Sequence, residues 1–174
     1  MINIIMDKDS YFIVGGGFMQ VGDIGLDKGI GWISKTIEEF EHSQYSHATA
    51  YIGDGLLIEA DGFDPTGDVP ITKYKNQLDI YTCDSLTEVQ RHGIYDFLEE
   101  QRGTRYDFLL LVIEAIRYGL HVILPYKEPF RSHICSTLVA DAYKEVNVDL
   151  CPGIKYPSPA DLSDSKLLKK IESL

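Results

Sequence analysis

Cysteine and basic residues are both scarce in this chain, and each shortage excludes a class of protein. Its 174 residues contain three cysteines, Cys83, Cys135 and Cys151, with no CxxC pair. An odd set without such a pair makes neither a disulfide framework nor a zinc ribbon, and it fits a reducing compartment. Lysine and arginine number 16 against 27 aspartates and glutamates, which gives a net charge of −11. We therefore expect no nucleic-acid partner, because a phosphate backbone requires clustered cations.

Long hydrophobic runs, repeats and low-complexity tracts are also missing. The most apolar stretch, residues 108–124, is interrupted by Glu114, Arg117 and His121, so it falls short of a membrane span. The amino terminus has no basic region and reaches Asp7 after a short apolar stretch, which is not the pattern of a secretory signal. These absences predict a cytoplasmic protein with no stable membrane insertion. The length and even composition predict one domain over residues 1–174.

Hydrophobic periodicity predicts an α+β fold, with an antiparallel sheet packed against helices. The strand pattern occurs over residues 11–14, 48–52, 56–60, 69–73 and 78–83. Asp54-Gly55 predicts a tight hairpin turn between the second and third of these strands. Helices are predicted over residues 31–41, from a capping box at 85–88 to about 101, over 106–118, from about 133, and from 158.

Cys135 is the first candidate for chemistry, because it falls in the first turn of a predicted helix. The free amides and the dipole at a helix start stabilise a thiolate and lower the pKa of a thiol. The thiolate is the nucleophilic form, so this position favours reactivity. The alternative interpretation is a small buried residue that packs a helix end. Cys83 and Cys151 have no helix start beside them and are predicted to be structural.

His47 and Glu59 are candidates for the base and its orienting acid. His47 begins the strand over 48–52, and histidine is the usual base for a thiol because its pKa lies near neutrality. Glu59 interrupts an apolar run on the returning strand, and a buried carboxylate there needs a partner such as a histidine ring N–H. The turn predicts residue 50 opposite 59 and residue 52 opposite 57, but the faces taken by His47 and Glu59 depend on the register. Each could instead be an ordinary strand residue.

Two further patterns are weak as functional signals. Gly15-Gly16-Gly17 is followed neither by Gly-Lys-Ser/Thr nor by a helix start, so it indicates a turn and not a phosphate loop. His133 lies two residues before Cys135, but no second closely spaced pair supports a metal site. The sequence therefore predicts neither a metal nor an organic cofactor.

Short motifs in a particular order resemble a known family. They are Asp23, Ser46-His47, Ile58-Glu59-Ala60, Tyr106-Asp107, Cys135-Ser136 and residues 156–162. This order, histidine before acid before cysteine, is similar to that of the circularly permuted NlpC-type, papain-like cysteine peptidases of the YiiX-like group. The resemblance covers about residues 22–167 and leaves residues 1–21 as a candidate amino-terminal extension.

The resemblance implies a single papain-like domain with a nucleophile at a helix N-terminus. It assigns Cys135 as the nucleophile, His47 as the general base and Glu59 as the residue that orients His47. It also implies that Tyr45, Tyr106, Asp107 and Ser136 bind substrate or shape the site. The Cys135 backbone amide would contribute to an oxyanion hole.

The implied function is hydrolysis of an amide bond in a peptide or cell-wall-type peptide, through a thioester acyl-enzyme. One alternative keeps the fold: a lipid acyltransferase or thioesterase similar to the lecithin:retinol acyltransferase-like proteins, which move acyl groups between lipids with a similar layout. The apolar stretch 108–124 favours this alternative. Those relatives carry a second histidine near the first, whereas Glu59 occupies the acid position here. Another alternative is a non-catalytic binding protein on the same scaffold. The expected partner is a small peptide or lipid-like substrate.

Overall fold

The fold was analysed in a computed structural model, which describes residues 12–14, 17–28, 44–61, 64–106 and 132–174. Ten strands are seen in this part of the chain: β1 (Phe12–Val14), β2 (Gly17–Met19), β3 (Ile24–Asp27), β4 (His47–Gly53), β5 (Leu56–Glu59), β6 (Gly67–Pro70), β7 (Leu78–Thr82), β8 (Arg105–Tyr106), β9 (Ser132–His133) and β10 (Lys169–Ser173). Three α-helices accompany them: α1 (Glu88–Glu100), α2 (Cys135–Glu145) and α3 (Pro159–Ser163). A 3-10 turn spans Ile71–Tyr74.

Six strands form one antiparallel sheet in the order β10-β7-β3-β4-β5-β6. The two central strands, β3 and β4, are buried along nearly their whole length. Asp54 and Gly55 join β4 to β5 with positive φ angles of 52° and 74°. Such angles suit the right-handed twist of a two-residue hairpin, so the predicted turn is confirmed.

The sheet is covered on both faces, as the alternation of its side chains requires. One face packs against α1 and α2, and its buried core includes Ile24, Leu26, Ala48, Ala50, Ile58, Ile94, Leu98, Leu138, Val139 and Tyr143. The other face carries a smaller core: Met19, Tyr51, Leu57, Ile71, Tyr74, Leu78 and Ile80. The predicted α+β class, an antiparallel sheet packed against helices, is confirmed.

Several predicted boundaries are corrected by the structure. The strand predicted over 69–73 ends at Pro70 and continues as the 3-10 turn. The capping box lies two residues later than predicted, because Thr87, and not Ser85, caps α1 by exchanging hydrogen bonds with Gln90. Tyr106 lies in a strand instead of opening a helix, and the rest of the helix predicted over 106–118 lies outside the described residues. The helix predicted over 31–41 also lies outside them.

The core between the sheet and α2 predicts a measurable stability loss. Leu138 is fully buried there. We expect Leu138→Ala to lower the free energy of unfolding by about 2–5 kcal/mol, because it removes apolar contacts and leaves a cavity. Val89→Ala is the control, since Val89 is 82% exposed on α1 and its loss is expected to change stability by no more than about 0.5 kcal/mol. Urea unfolding of both variants measures the difference, and equal losses would contradict this packing.

Candidate active site

Cys135 is the first residue of α2, so the helix begins about two residues later than the predicted start near His133, which lies in β9. The prediction that Cys135 lies in the first turn of a helix is confirmed. Ile134 precedes it in an extended conformation, and the Thr137 hydroxyl accepts the Ile134 backbone N–H at 3.0 Å. This cap fixes the first turn and leaves other amides of that turn free to face the thiol. The backbone amides of Ala48 and Ser136 hydrogen-bond the Cys135 sulfur. The helix start and the beginning of β4 therefore meet at this thiol.

His47 lies between Cys135 and Glu59. Its Nε2 is 3.0 Å from Glu59 Oε2, and its ring also hydrogen-bonds the Cys135 thiol. Because Nε2 is engaged by the carboxylate, Nδ1 is the ring nitrogen left for the sulfur. The three residues assigned as catalytic from the sequence are thus in one hydrogen-bonded chain.

A β-bulge sets the faces of His47 and Glu59. Next to the turn, Gly53 pairs with Leu56, which is the register that the sequence predicts. The register then shifts by one residue at Ile52, so that Ala50 pairs with Ile58 instead of Glu59. Continued along the strands, this places Glu59 opposite Thr49, on the same face as His47 and diagonal to it. Without the shift the two side chains would lie on opposite faces of the sheet.

Glu59 is 4% exposed and is surrounded by donors. Its Oε2 accepts from the Tyr74 hydroxyl as well as from His47, and its Oε1 accepts from Lys73 Nζ. The rings of His47 and Tyr74 stack with their centroids 6.1 Å apart and an interplanar angle of 28°. Sequence reasoning missed Lys73 and Tyr74, because it assigned residues 69–73 to a strand. Pro70 was the available signal, since proline tends to end a strand.

The electrostatics of the site favour an ion pair between Cys135 and His47. Burial raises the pKa of the Cys135 thiol, but the charge and hydrogen bond of His47, together with backbone hydrogen bonds from Ala48 and Ser136, lower it by more. Burial lowers the pKa of His47, whereas Cys135 and Glu59 together raise it to about 10. Burial also raises the pKa of Glu59, but its hydrogen-bond donors, and His47 most of all, lower that pKa to about 2. All three shifts therefore favour the charged forms, an imidazolium at His47 and anions at Cys135 and Glu59.

These shifts predict how the site contributes to stability as the pH changes. The pKa of Glu59 is below its ordinary value of 4.5, so its contribution is lost as the pH falls from 4.5 towards 2. The pKa of His47 is above its ordinary value of 6.5, so its contribution is lost as the pH rises from 6.5 towards 10. We expect the stability difference between wild type and Glu59→Gln to be largest between these windows. Urea unfolding across this pH range measures it, and a difference independent of pH would contradict the assignment.

The other residues named from the sequence lie in varied places. Ser136 is fully buried, and its hydroxyl has no hydrogen-bond partner among the described residues. The Tyr45 hydroxyl bonds Asp79 at 2.7 Å and so belongs to a different polar cluster. Tyr106 is paired with His133 across β8 and β9, which brings the backbone of Tyr106 close to the start of α2. Asp107 lies outside the described residues.

Asp23, which carries part of the resemblance, has a different setting from the three site residues. It is fully buried, and its Oδ1 accepts from Arg91 Nη1 at 3.2 Å and from Thr82 Oγ1 at 2.7 Å. Burial raises the pKa of Asp23 even though its donors, including Arg91, lower it. The pair connects the start of β3 to α1, and this is a structural contact.

Comparison with known proteins shows a likeness to solved structures. No family model matches the sequence, and no curated protein matches it. The chain is similar to the crystal structure of the metalloprotein YiiX from Escherichia coli O157:H7, with a TM-score of 0.55 and 18% sequence identity. The alignment covers 89% of this chain and 97% of that chain. At this identity the likeness concerns the fold alone, and the chain therefore has a YiiX-like fold.

Proposed function

We propose that the protein is a thiol hydrolase that cleaves an amide bond in a peptide or cell-wall-type peptide. Cys135 is the nucleophile, His47 the general base and acid, and Glu59 the residue that orients His47. One observation carries this proposal: the His47 imidazole contacts the Cys135 thiol while Glu59 Oε2 holds its Nε2 at 3.0 Å. A base fixed by a third group beside a nucleophile is the recurring arrangement of covalent catalysis.

The reaction follows from these positions. The Cys135 thiolate attacks the carbonyl carbon, and the carbonyl electron pair moves to oxygen, where amides at the start of α2 stabilise the oxyanion. Collapse of this intermediate expels the amine, which takes a proton from the His47 imidazolium and leaves a thioester. Neutral His47 then takes a proton from water, whose oxygen attacks the thioester carbonyl. The acid product leaves, and the thiolate–imidazolium pair is restored.

The site does not fit a metal ion, although the structural neighbour is called a metalloprotein. Within the described ranges, no group of three or more histidine, cysteine, aspartate or glutamate side chains is placed to hold one. Around Glu59, both oxygens already accept from Lys73, Tyr74 and His47. The Lys73 ammonium, which already contacts the Glu59 carboxylate, would repel a metal cation at that carboxylate. The proposed mechanism therefore uses no metal.

Acyl transfer between lipids is the second candidate function. The apolar stretch over residues 108–124 favours it; this stretch lies outside the described residues. The chain leaves β8 at Tyr106 and returns at Ser132, and these strands pair next to Cys135. The acid position is nevertheless held by Glu59, so we favour the amide hydrolase.

A covalent trap tests the proposal. Wild-type protein incubated with p-nitrophenyl acetate is expected to release p-nitrophenolate in a burst and to carry acetyl on Cys135, located by peptide mass mapping. Cys151→Ala is a matched control, since Cys151 is 6% exposed and Cys135 is 7% exposed. We expect Cys151→Ala to keep the burst and Cys135→Ala to lose it. Acetylation of another residue, or none, would refute the proposed nucleophile.

The bond type is decided by a second panel. Peptide p-nitroanilides report amide cleavage, and phosphatidylcholine vesicles with an added amine acceptor report acyl transfer. Turnover of a p-nitroanilide that depends on Cys135 supports the hydrolase. If the protein transfers acyl groups from the vesicles but does not cleave the p-nitroanilides, it is a lipid acyltransferase and not an amide hydrolase. If the protein catalyses neither reaction and also fails to form the acetyl-enzyme, the remaining alternative is a non-catalytic binding protein.

A further inference from the structure

The 3-10 turn after β6 supplies two side chains to the Glu59 carboxylate. Tyr74 is buried and donates to Oε2, the oxygen that also faces His47 Nε2. Lys73 donates to Oε1 and is 41% exposed. The turn is itself fixed at its start, because the Ile71 backbone N–H bonds the Gly55 carbonyl at 2.9 Å in the β4–β5 hairpin. The hairpin that carries Glu59 is therefore hydrogen-bonded to the turn that carries its two donors.

We propose that Lys73 and Tyr74 are positioning residues of the reaction, acting through Glu59 to hold His47 against Cys135. This inference rests on the proposed function. It gives a role to two residues outside the Cys135–His47–Glu59 chain and to the 3-10 turn that presents them.

The geometry explains why two donors are needed. A buried carboxylate has two oxygens to satisfy and can rotate about its last side-chain bond. With Lys73 on Oε1 and Tyr74 on Oε2, the carboxylate is fixed in the rotation that presents Oε2 to His47. Burial and the charge of Glu59 raise the pKa of Tyr74, so its hydroxyl stays protonated and remains a donor. Stacking of Tyr74 on the imidazole restrains the same ring from its side.

Two further carboxylates lie close to Lys73 and Tyr74. Asp61 Oδ2 lies 3.8 Å from Lys73 Nζ, and Asp27 on β3 adds negative charge near Tyr74. Asp27 pairs with His47 in the β3–β4 register. The Lys73 ammonium therefore contacts both the Glu59 and the Asp61 carboxylates and offsets part of this negative charge.

The test is the pH profile of Cys135 alkylation by iodoacetamide, measured on the full chain. Tyr74→Phe keeps the ring and removes the hydroxyl, and Lys73→Met removes the charge at similar length. We expect each to slow alkylation at about pH 6 by roughly 3- to 10-fold and to move the profile to higher pH, because the imidazolium is held less firmly against the thiolate. Lys73→Arg retains a charged donor and is expected to recover at least about half of the rate that Lys73→Met loses.

Matched controls exist elsewhere in the fold. Lys170 is 43% exposed and pairs with the buried Asp79 at 2.6 Å, as Lys73 pairs with Glu59. The buried Tyr143 hydroxyl donates to the Gly22 carbonyl at 2.7 Å. Lys170→Met and Tyr143→Phe remove equivalent bonds away from His47. Both variants are expected to alter stability and to leave the alkylation profile of Cys135 unchanged. They therefore distinguish an effect on the position of His47 from a general effect on folding.

The outcomes are distinguishable from failure of the proposed function. A wild-type profile that depends on His47 while Tyr74→Phe leaves it unchanged would overturn the positioning role alone. If Tyr74→Phe does not fold, Lys73→Met decides, and a wild-type profile in that variant overturns the role. A wild-type profile that does not depend on His47 would overturn the proposed function, and this inference with it.

Discussion

Replacing His47 with alanine is expected to slow alkylation of Cys135 by iodoacetamide at about pH 6 by roughly 10- to 100-fold. The imidazolium is the main group that lowers the pKa of this thiol against the effect of burial. Without it, burial dominates and the pKa rises. A thiol with a pKa of about 8.5 is only roughly 0.3% ionised at about pH 6, and the greater nucleophilicity of the more basic thiolate offsets part of that loss.

Cys83 and Cys151 serve as internal controls in that experiment. Burial raises the pKa of Cys151 to about 11, and its thiol hydrogen-bonds the Asp161 carbonyl at 3.4 Å. Both cysteines should alkylate slowly below neutral pH in wild type and in His47→Ala alike. Equal rates at Cys135 in the two proteins would contradict the ion pair.

Asp23→Ala is expected to lower the free energy of unfolding by about 3–5 kcal/mol. It leaves Arg91 buried without its carboxylate, although Arg91 still donates to the Val21 carbonyl at 2.8 Å. The exposed pair of Glu99 and Arg102, 2.6 Å apart, is the comparison. Glu99→Ala is expected to cost less than about 1 kcal/mol, because solvent screens exposed ion pairs.

A double-mutant cycle separates the pair from its surroundings. Arg91→Met combined with Asp23→Ala removes both charges, so the combined loss should be smaller than the sum of the single losses by about 1–3 kcal/mol. Urea unfolding measures all four proteins. A loss below about 1 kcal/mol for Asp23→Ala, or strict additivity, would contradict the buried pair.

The strands and the hairpin could be predicted from the sequence, because local signals determine them. Alternating apolar residues over 48–52 and Asp54-Gly55 at the turn are such signals. The register could not be predicted, since the bulge at Ile52 depends on pairing with β5 and on packing across the sheet. The sequence therefore identified His47 and Glu59 as partners by residue type, while their common face came only from the structure.

The rest of the candidate site shows the same limit. Cys135 could be recognised because a helix start has local signals. Lys73 and Tyr74 could not, because their contact with Glu59 depends on how the chain turns after Pro70. The last strand, β10, was also missed: its sequence Lys-Lys-Ile-Glu-Ser has little apolar alternation, and it is held by pairing with β7 and by the Lys170–Asp79 ion pair. Residues that act through distant partners leave no periodic pattern in the sequence.

The ultraviolet absorbance of thiolate, titrated in wild type and in Cys135→Ser, shows whether Cys135 and His47 form an ion pair. The difference between the two titrations isolates ionisation of Cys135. We expect this thiolate to form well below the ordinary cysteine pKa of about 8.5, and we expect His47→Ala to abolish the early step. A Cys135 thiolate that forms only above that value in wild type would contradict the Cys135–His47 pair and, with it, the proposed hydrolase.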